Sequence, residues 1–305
     1  MIHQQWPALP LGEWRKTKDT LQLWMQIVGK IRLTLTPRLN HWWNVPFYVS
    51  ARGLTTGPIP HDNRLFEMEF DFIDHQLVVR ASDGTVRTLP LIPRPVAEFY
   101  SEVMSLLHEL GIDVKILARP FGISITEPFA TDRIHDSYDA DRAHTFWRIL
   151  VGSDALFKEF RARFIGKCSP VHFFWHSFDL AVTRFSGRKA PEMEGADKVT
   201  KEAYSHEVIS CGFWAGDDNL TEPAFYCYAA PEPAGLADES LRPEAAFWNL
   251  AGNGSMALLK YDDVRTKRDP DHAILEFLQS SYEAGARRAD WDRAALERPA
   301  GTAAS

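Results

Sequence analysis

Residue types able to do chemistry are most concentrated between Pro170 and Phe185, where His172, His176, Asp179 and Arg184 interrupt an aromatic, apolar run. Burying ionisable groups is costly unless they are paired or used. A second run, Asn40 to Arg52, sets His41, Trp42 and Trp43 ahead of an Arg-Gly pair. Acid–base catalysis is the first chemistry these residues suit. Asp179 sits among Phe178, Leu180 and Ala181, where desolvation raises a carboxyl pKa unless a cation or imidazole pairs with it. His172, His206 and Glu207 complete the candidate catalytic set, and Tyr204 supplies a phenol beside them.

Metal binding is the second. His172, His206 and Glu207 form the candidate ligand set for a divalent metal. His172 and His176 are two same-face steps apart on a strand, at about 6–7 Å per step, too far to chelate together. The spacing lacks the specificity of a helical HExxH or a CxxC pair, and histidines hydrogen-bonded in an aromatic core explain it as well. The third is anion binding: Lys30, Arg52, Lys167 and Arg184 lie next to the aromatic segments, and arginine offers a planar fork to carboxylate or phosphate. Their structural alternative is pairing with Asp71, Asp179 or Glu207. His41, Trp42, Trp43, Trp175 and Tyr204 would wall the same pocket. Cys168, beside Lys167, is a thin nucleophile candidate, and Cys211 and Cys227 read as packed. Gly-rich nucleotide loops and a GxSxG elbow are absent from the sequence.

The elements that must hold these residues follow from periodicity. Trp14, Leu21, Trp24, Met25 and Val28 predict a helix over 13–35 that Pro37 ends. Strands are predicted at 43–52, 64–73 and 76–82, a turn at Ser82-Asp83-Gly84-Thr85 leads into 86–89, and a helix follows over 95–110. One more strand is predicted at Val114–Leu117. The second half reads as a helix over 139–164, strands at 171–185, 204–214, 224–230 and 255–261, a 231–244 loop, and a helix from Asp269 to about 287. This divides the chain into an extension (1–12), a first half (13–117), a bridge (118–138), a second half (139–290) and a tail (291–305).

Both halves run helix, Gly-Lys, aromatic segment, antiparallel strands. Gly29-Lys30 answers Gly166-Lys167, and His41-Trp42-Trp43 answers His172-Phe173-Phe174. The expectation is an α+β protein of two similar halves from an internal duplication, each an antiparallel sheet flanked by helices, with a pocket between them.

Several long strings also look familiar as a set: Leu21 to Lys30, Ser50 to Thr56, Phe70 to His75, Phe164 to Trp175, Ser177 to Arg188 and Tyr204 to Glu207. Together they resemble the bacterial "domain of unknown function 5996" family, from about residue 10 to 297. The resemblance implies no reaction, cofactor or catalytic residue. Within it, a glycine commonly stands at the His176 position and a histidine often at that of Gln22, so both are left out of the candidate site.

Composition sets the outer limits. With 45% hydrophobic residues, 19 Phe and 10 Trp, the chain has the makings of a large aromatic core. A net charge of −7 without a basic cluster argues against nucleic acid. No signal peptide or membrane-spanning run is legible, and three cysteines without CxxC spacing fit a reducing compartment, so a cytoplasmic protein is expected. The expected function is an enzyme, hydrolase or lyase by slight preference, acting on a small anionic metabolite by acid–base or metal-assisted chemistry. A non-catalytic small-molecule-binding or regulatory protein using the same cleft is the alternative, and a homodimer formed through aromatic faces is a third reading.

Overall fold

The protein's structure, a computed structural model, describes residues 6–218, 220–250 and 254–299. The outer ends of the expected extension and tail, 1–5 and 300–305, lie outside the described residues. Helix α1 (Leu11–Leu35) runs through the centre. Its apolar residues bury on nearly every side, against α2, α3 and strand β3 (ranges below). Lys18, Gln22, Gln26 and Lys30 are buried too, and their spacing of four puts them in one stripe.

The first half continues with β1 (Tyr48–Val49), β2 (Gly53–Thr55), β3 (Ile59–His61), β4 (Arg64–Asp71), β5 (Gln76–Ala81) and β6 (Val86–Pro90). They form an antiparallel sheet in the order β1-β2-β4-β5-β6, with β3 also paired to β4. Phe66, Met68 and Phe70 point inward on β4, while Glu69 and Asp71 between and beyond them are also buried, and α2 (Val96–Glu109) covers the apolar side through Phe99, which stacks on Trp24 at 4.6 Å.

The second half comprises α3 (Ala140–Ala162), β7 (His172–Phe174), β8 (Asp179–Lys189), α4 (Lys198–Ala203), β9 (His206–Trp214), β10 (Ala224–Ala230), β11 (Phe247–Asn249), β12 (Met256–Lys260), α5 (Tyr261–Arg265), α6 (Pro270–Arg288) and α7 (Arg293–Leu296). Its antiparallel sheet has the order β11-β12-β10-β9-β8-β7, with α3 and α6 packed on one face. Asp139 and Asp269 cap those two helices by accepting the backbone N–H of Arg142 and His272. Phe47 and Phe173 exchange two backbone hydrogen bonds of 2.8 Å, joining the edge of one half to the edge of the other. The molecule is thus α+β, with two antiparallel sheets.

Several predicted elements change. The expected long strand 171–185 is a hairpin: Trp175–Phe178 turns back, with Phe178 at φ 59° and its N–H bonded to the Phe174 carbonyl at 2.7 Å. Alternating aromatic residues masked this turn, because no Gly or Pro marks it. The 43–52 segment shrinks to β1, preceded by a single 3₁₀ turn, Asn40–Trp42. Val114–Leu117 forms no strand, and α4 and β11 were not foreseen. Among the described residues no helix is long and apolar enough to cross a membrane.

Candidate functional site

Strand alternation gives the second sheet two distinct faces. Leu180, Val182 and Arg184 on β8, Ile209, Cys211 and Phe213 on β9, and Phe225 and Cys227 on β10 bury toward α3 and α6. Cys211 and Cys227 stand opposite each other there and are joined as a disulfide, where packed thiols were expected. The other face carries Asp179, Ala181, Thr183 and Phe185, then Val208 and Ser210, then Tyr226 and Tyr228, and it floors a cavity of 580 Å³. Lys30, Leu33 and Thr34 of α1, the His41–Val45 segment, Leu117 and Phe121 of the bridge, and α4 with Tyr204 complete the walls. A second hollow of 850 Å³ adjoins it, and His176, Ser177, Asp179, Tyr204, Tyr226 and Tyr228 line both.

Asp179 is the chemical centre of this junction. It is 8% exposed, and among the described residues no cation pairs with it. The Ser177 hydroxyl donates to its Oδ1 and the Tyr226 hydroxyl to its Oδ2. Burial raises the Asp179 pKa against the opposing pull of these two bonds. Tyr226 stacks on Tyr228, whose hydroxyl shares a 2.8 Å hydrogen bond with that of Tyr204, and burial raises all three phenols. Gly212 makes this arrangement possible. A Cβ there would lie 2.4 Å from the Tyr226 ring and 2.5 Å from the Leu180 carbonyl, so its absence lets Tyr226 lie across the sheet to Asp179.

The opposite wall is basic and aromatic. His41 and Trp42 both hold left-handed backbone, at φ 56° and 61°, a costly conformation for such side chains. His41 Nδ1 lies 3.1 Å from the Glu202 carbonyl, which only a donor satisfies, so Nε2 is left to accept from Lys167 Nζ at 2.7 Å. Desolvation, then the Lys167 charge, lowers the His41 pKa, in keeping with this neutral tautomer. Lys167 also sits over the rings of Phe185 and Trp43, at 4.8 and 5.4 Å. Trp175 donates its indole N–H to the Val45 carbonyl and lies flat on α1 at Gly29, where a Cβ would approach it to 2.4 Å.

Of the residues singled out from the sequence, the cavity therefore gathers Lys30, His41, Trp42, Trp43, Trp175, Asp179 and Tyr204, with Lys167 at its margin. It does not gather the rest. Arg52 pairs with Asp71 and Asp74 at 2.5 and 2.7 Å, the structural alternative, and lies outside the cavity. Arg184 is on the helix face, its guanidinium 3.5 Å from the Phe160 ring centre and 4.2 Å from that of Tyr282. Glu207 pairs with Arg188 at 2.8 Å, and His206 meets Ser205 and the edge of His41. His172, opposite Ala181 in the register, is sealed beneath Trp43, Tyr48 and Phe174, with both ring nitrogens unpartnered. Burial, then the charges of Arg32 and Arg161, lowers its pKa to about 3. No group of three His, Cys, Asp or Glu side chains suited to a metal exists among the described residues, so His172, His206 and Glu207 are not assembled as ligands. Cys168 is no activated thiol either, since burial pushes it up to about 11.

Ser177, Tyr226, Tyr228 and the α1 stripe were not foreseen. Gln22 of that stripe donates to the His176 carbonyl at 2.7 Å, so the two positions set aside from the site touch. Gln26 holds the bridge, donating to the Phe121 carbonyl at 3.0 Å and accepting its N–H at 2.8 Å.

These features define an α+β protein whose central helix and second sheet enclose an aromatic, acid-bearing cleft. The chain belongs to the family of unknown function DUF5996, which it matches over residues 6–298. No curated protein and no solved structure matches it.

Proposed function

We propose that the protein is an enzyme acting on a small anionic metabolite in this cleft, by acid–base chemistry centred on Asp179. The observation that carries this is a buried carboxyl with no cation beside it among the described residues, held by two hydroxyls where two hollows meet. A carboxyl whose pKa burial raises holds its proton to higher pH than a free one, which suits it to acid–base work. Lys167 takes the anion-binding role first given to Arg52 and Arg184, Lys30 lines the same cavity, and the tryptophans supply apolar walls. Metal-assisted chemistry has less support, because its ligand set is dispersed.

Asp179→Asn tests the reading. General acid–base groups contribute about 10²–10⁴-fold, and a loss of that size in turnover with ligand affinity kept is the expected result. Stability gives a second readout. The native carboxyl binds its proton more tightly than the unfolded one, so this contribution is full below pH 3.8 and fades as pH rises through the raised value. Asp179→Asn flattens that dependence in melting curves taken across pH. A non-catalytic ligand-binding protein is the second reading, favoured by the fact that both Asp179 oxygens already accept hydroxyl donors. Under it, Asp179→Asn weakens binding, and no turnover is found for any ligand that raises Tm.

The shared element order of the halves supports reading the chain as a diverged duplication. A cytoplasmic location belongs to the same proposal. Three free thiols in freshly isolated protein would fit it, and a Cys211–Cys227 bond present in the cell would count against it.

A further inference from the structure

Along the buried stripe of α1, three of four polar side chains are spent on protein partners. Lys18 Nζ donates to Gln22 Oε1 at 3.2 Å, Gln22 to the His176 carbonyl, and Gln26 is bonded to the Phe121 backbone through both amide atoms. Lys30, the fourth, differs. It is 6% exposed, yet among the described residues its Nζ has no hydrogen bond, ion pair or ring beneath it, and it lines the aromatic cavity. Lys167, at the margin of the same cavity, has His41 and two rings. An ammonium facing apolar walls without a partner loses part of its hydration, and such a place favours the free amine. Desolvation accordingly lowers the Lys30 pKa.

We propose that the Lys30 amine is a nucleophile that captures an aldehyde or ketone in the cavity as an imine. This rests on the cleft being a ligand site, and it names the substrate class as a carbonyl compound. The nitrogen lone pair attacks the carbonyl carbon and a C–N bond forms. The carbonyl oxygen then leaves as water, carrying both hydrogens of the amine, and a C=N bond remains. Asp179 lines the same cavity and is the group that can give and take the protons these steps require. Leu33, Trp43, Phe174 and Trp175 lend the apolar surroundings that favour the neutral amine.

Reductive labelling reads this directly on the intact protein. Formaldehyde or glyoxylate, each small enough for a 580 Å³ cavity, is added at pH 7 with cyanoborohydride, whose hydride reduces the imine carbon to a stable amine. Peptide mass mapping then compares Lys30 with the exposed Lys115 and Lys267. A lowered pKa yields more free amine at pH 7, so Lys30 should label faster than the exposed lysines. Lys30→Arg should abolish the fast site while leaving the others unchanged, which separates an amine from a mere positive charge. Labelling of Lys30 no faster than that of Lys115 overturns the proposal. Benzoate, which forms no imine, tests the cleft separately through its effect on Tm. A rise without Lys30 selectivity sinks the amine alone, and Lys30 selectivity without a rise sinks the anion-binding reading alone.

Discussion

The two faces of β8 solve one problem in opposite ways. Asp179 and Arg184 are both buried, both ionisable and, among the described residues, both without an oppositely charged side chain in contact. Arg184 lies between the rings of Phe160, Phe164 and Tyr282 and donates to the Phe160 carbonyl, so its guanidinium is held by packing. Asp179 faces hydroxyls and a hollow. A burial cost met by close-packed aromatic faces leaves no room for a ligand. Met by a few hydroxyls beside open volume, it leaves a reactive group within reach of one.

The largest effect should come from the packed face. Arg184→Ala removes the filling of the aromatic box, and truncation in such a core costs about 2–5 kcal/mol. Arg184→Met keeps much of the volume and removes a desolvated charge, since burial already pulls the Arg184 pKa down to about 10. Such apolar replacements are often neutral, and chemical denaturation should place Met close to the wild type. An equal loss for Met and Ala would mean that the charge itself stabilises the fold.

His172 sharpens the comparison, because it shares the cleft face yet is sealed from the cavity. Its ordinary pKa of 6.5 falls to about 3 in the fold, so the native state refuses a proton that the unfolded chain accepts. The stability from this group is full above pH 6.5 and declines as pH falls toward 3, by up to about 1.4 kcal/mol per pH unit. His172→Phe should flatten that acid limb in unfolding curves measured between pH 4 and 7. An unchanged limb would assign acid lability to other groups.

Both faces were partly legible in the sequence. The four long helices, most strands and the aromatic walls follow from periodicity, and Asp179 was singled out because a carboxyl among apolar neighbours needs a reason. Parity alone separates Asp179 from Arg184, five residues on along a strand, and would have placed them on opposite faces. What parity could not give was the turn at Trp175–Phe178, which reverses the chain and sets His172 opposite Ala181 instead of in line with Asp179. Arg52 was misassigned because its partners Asp71 and Asp74 come from another strand and its turn, and only tertiary pairing brings them together. The four-residue spacing of Lys18, Gln22, Gln26 and Lys30 was present in the sequence, hidden by the reading of α1 as a simple amphipathic helix.

Two smaller changes act within the cleft face. At Gly212 a methyl group meets the Tyr226 ring and, more rigidly, the Leu180 backbone carbonyl. Gly212→Ala should cost about 1–3 kcal/mol, as overpacking does, and should displace Tyr226 from Asp179. Tyr204→Phe is milder. It removes one side of the Tyr204–Tyr228 hydrogen bond but leaves the Tyr228 hydroxyl a second partner in Ser210, so no buried hydroxyl is orphaned. Net hydrogen bonds are worth about 0.5–1.5 kcal/mol, and the loss in denaturation midpoint should fall at the lower end of that range. If Tyr204→Phe instead destabilised the protein as much as Gly212→Ala, the tyrosine chain would be part of the packed core, and the distinction between the two faces would not hold.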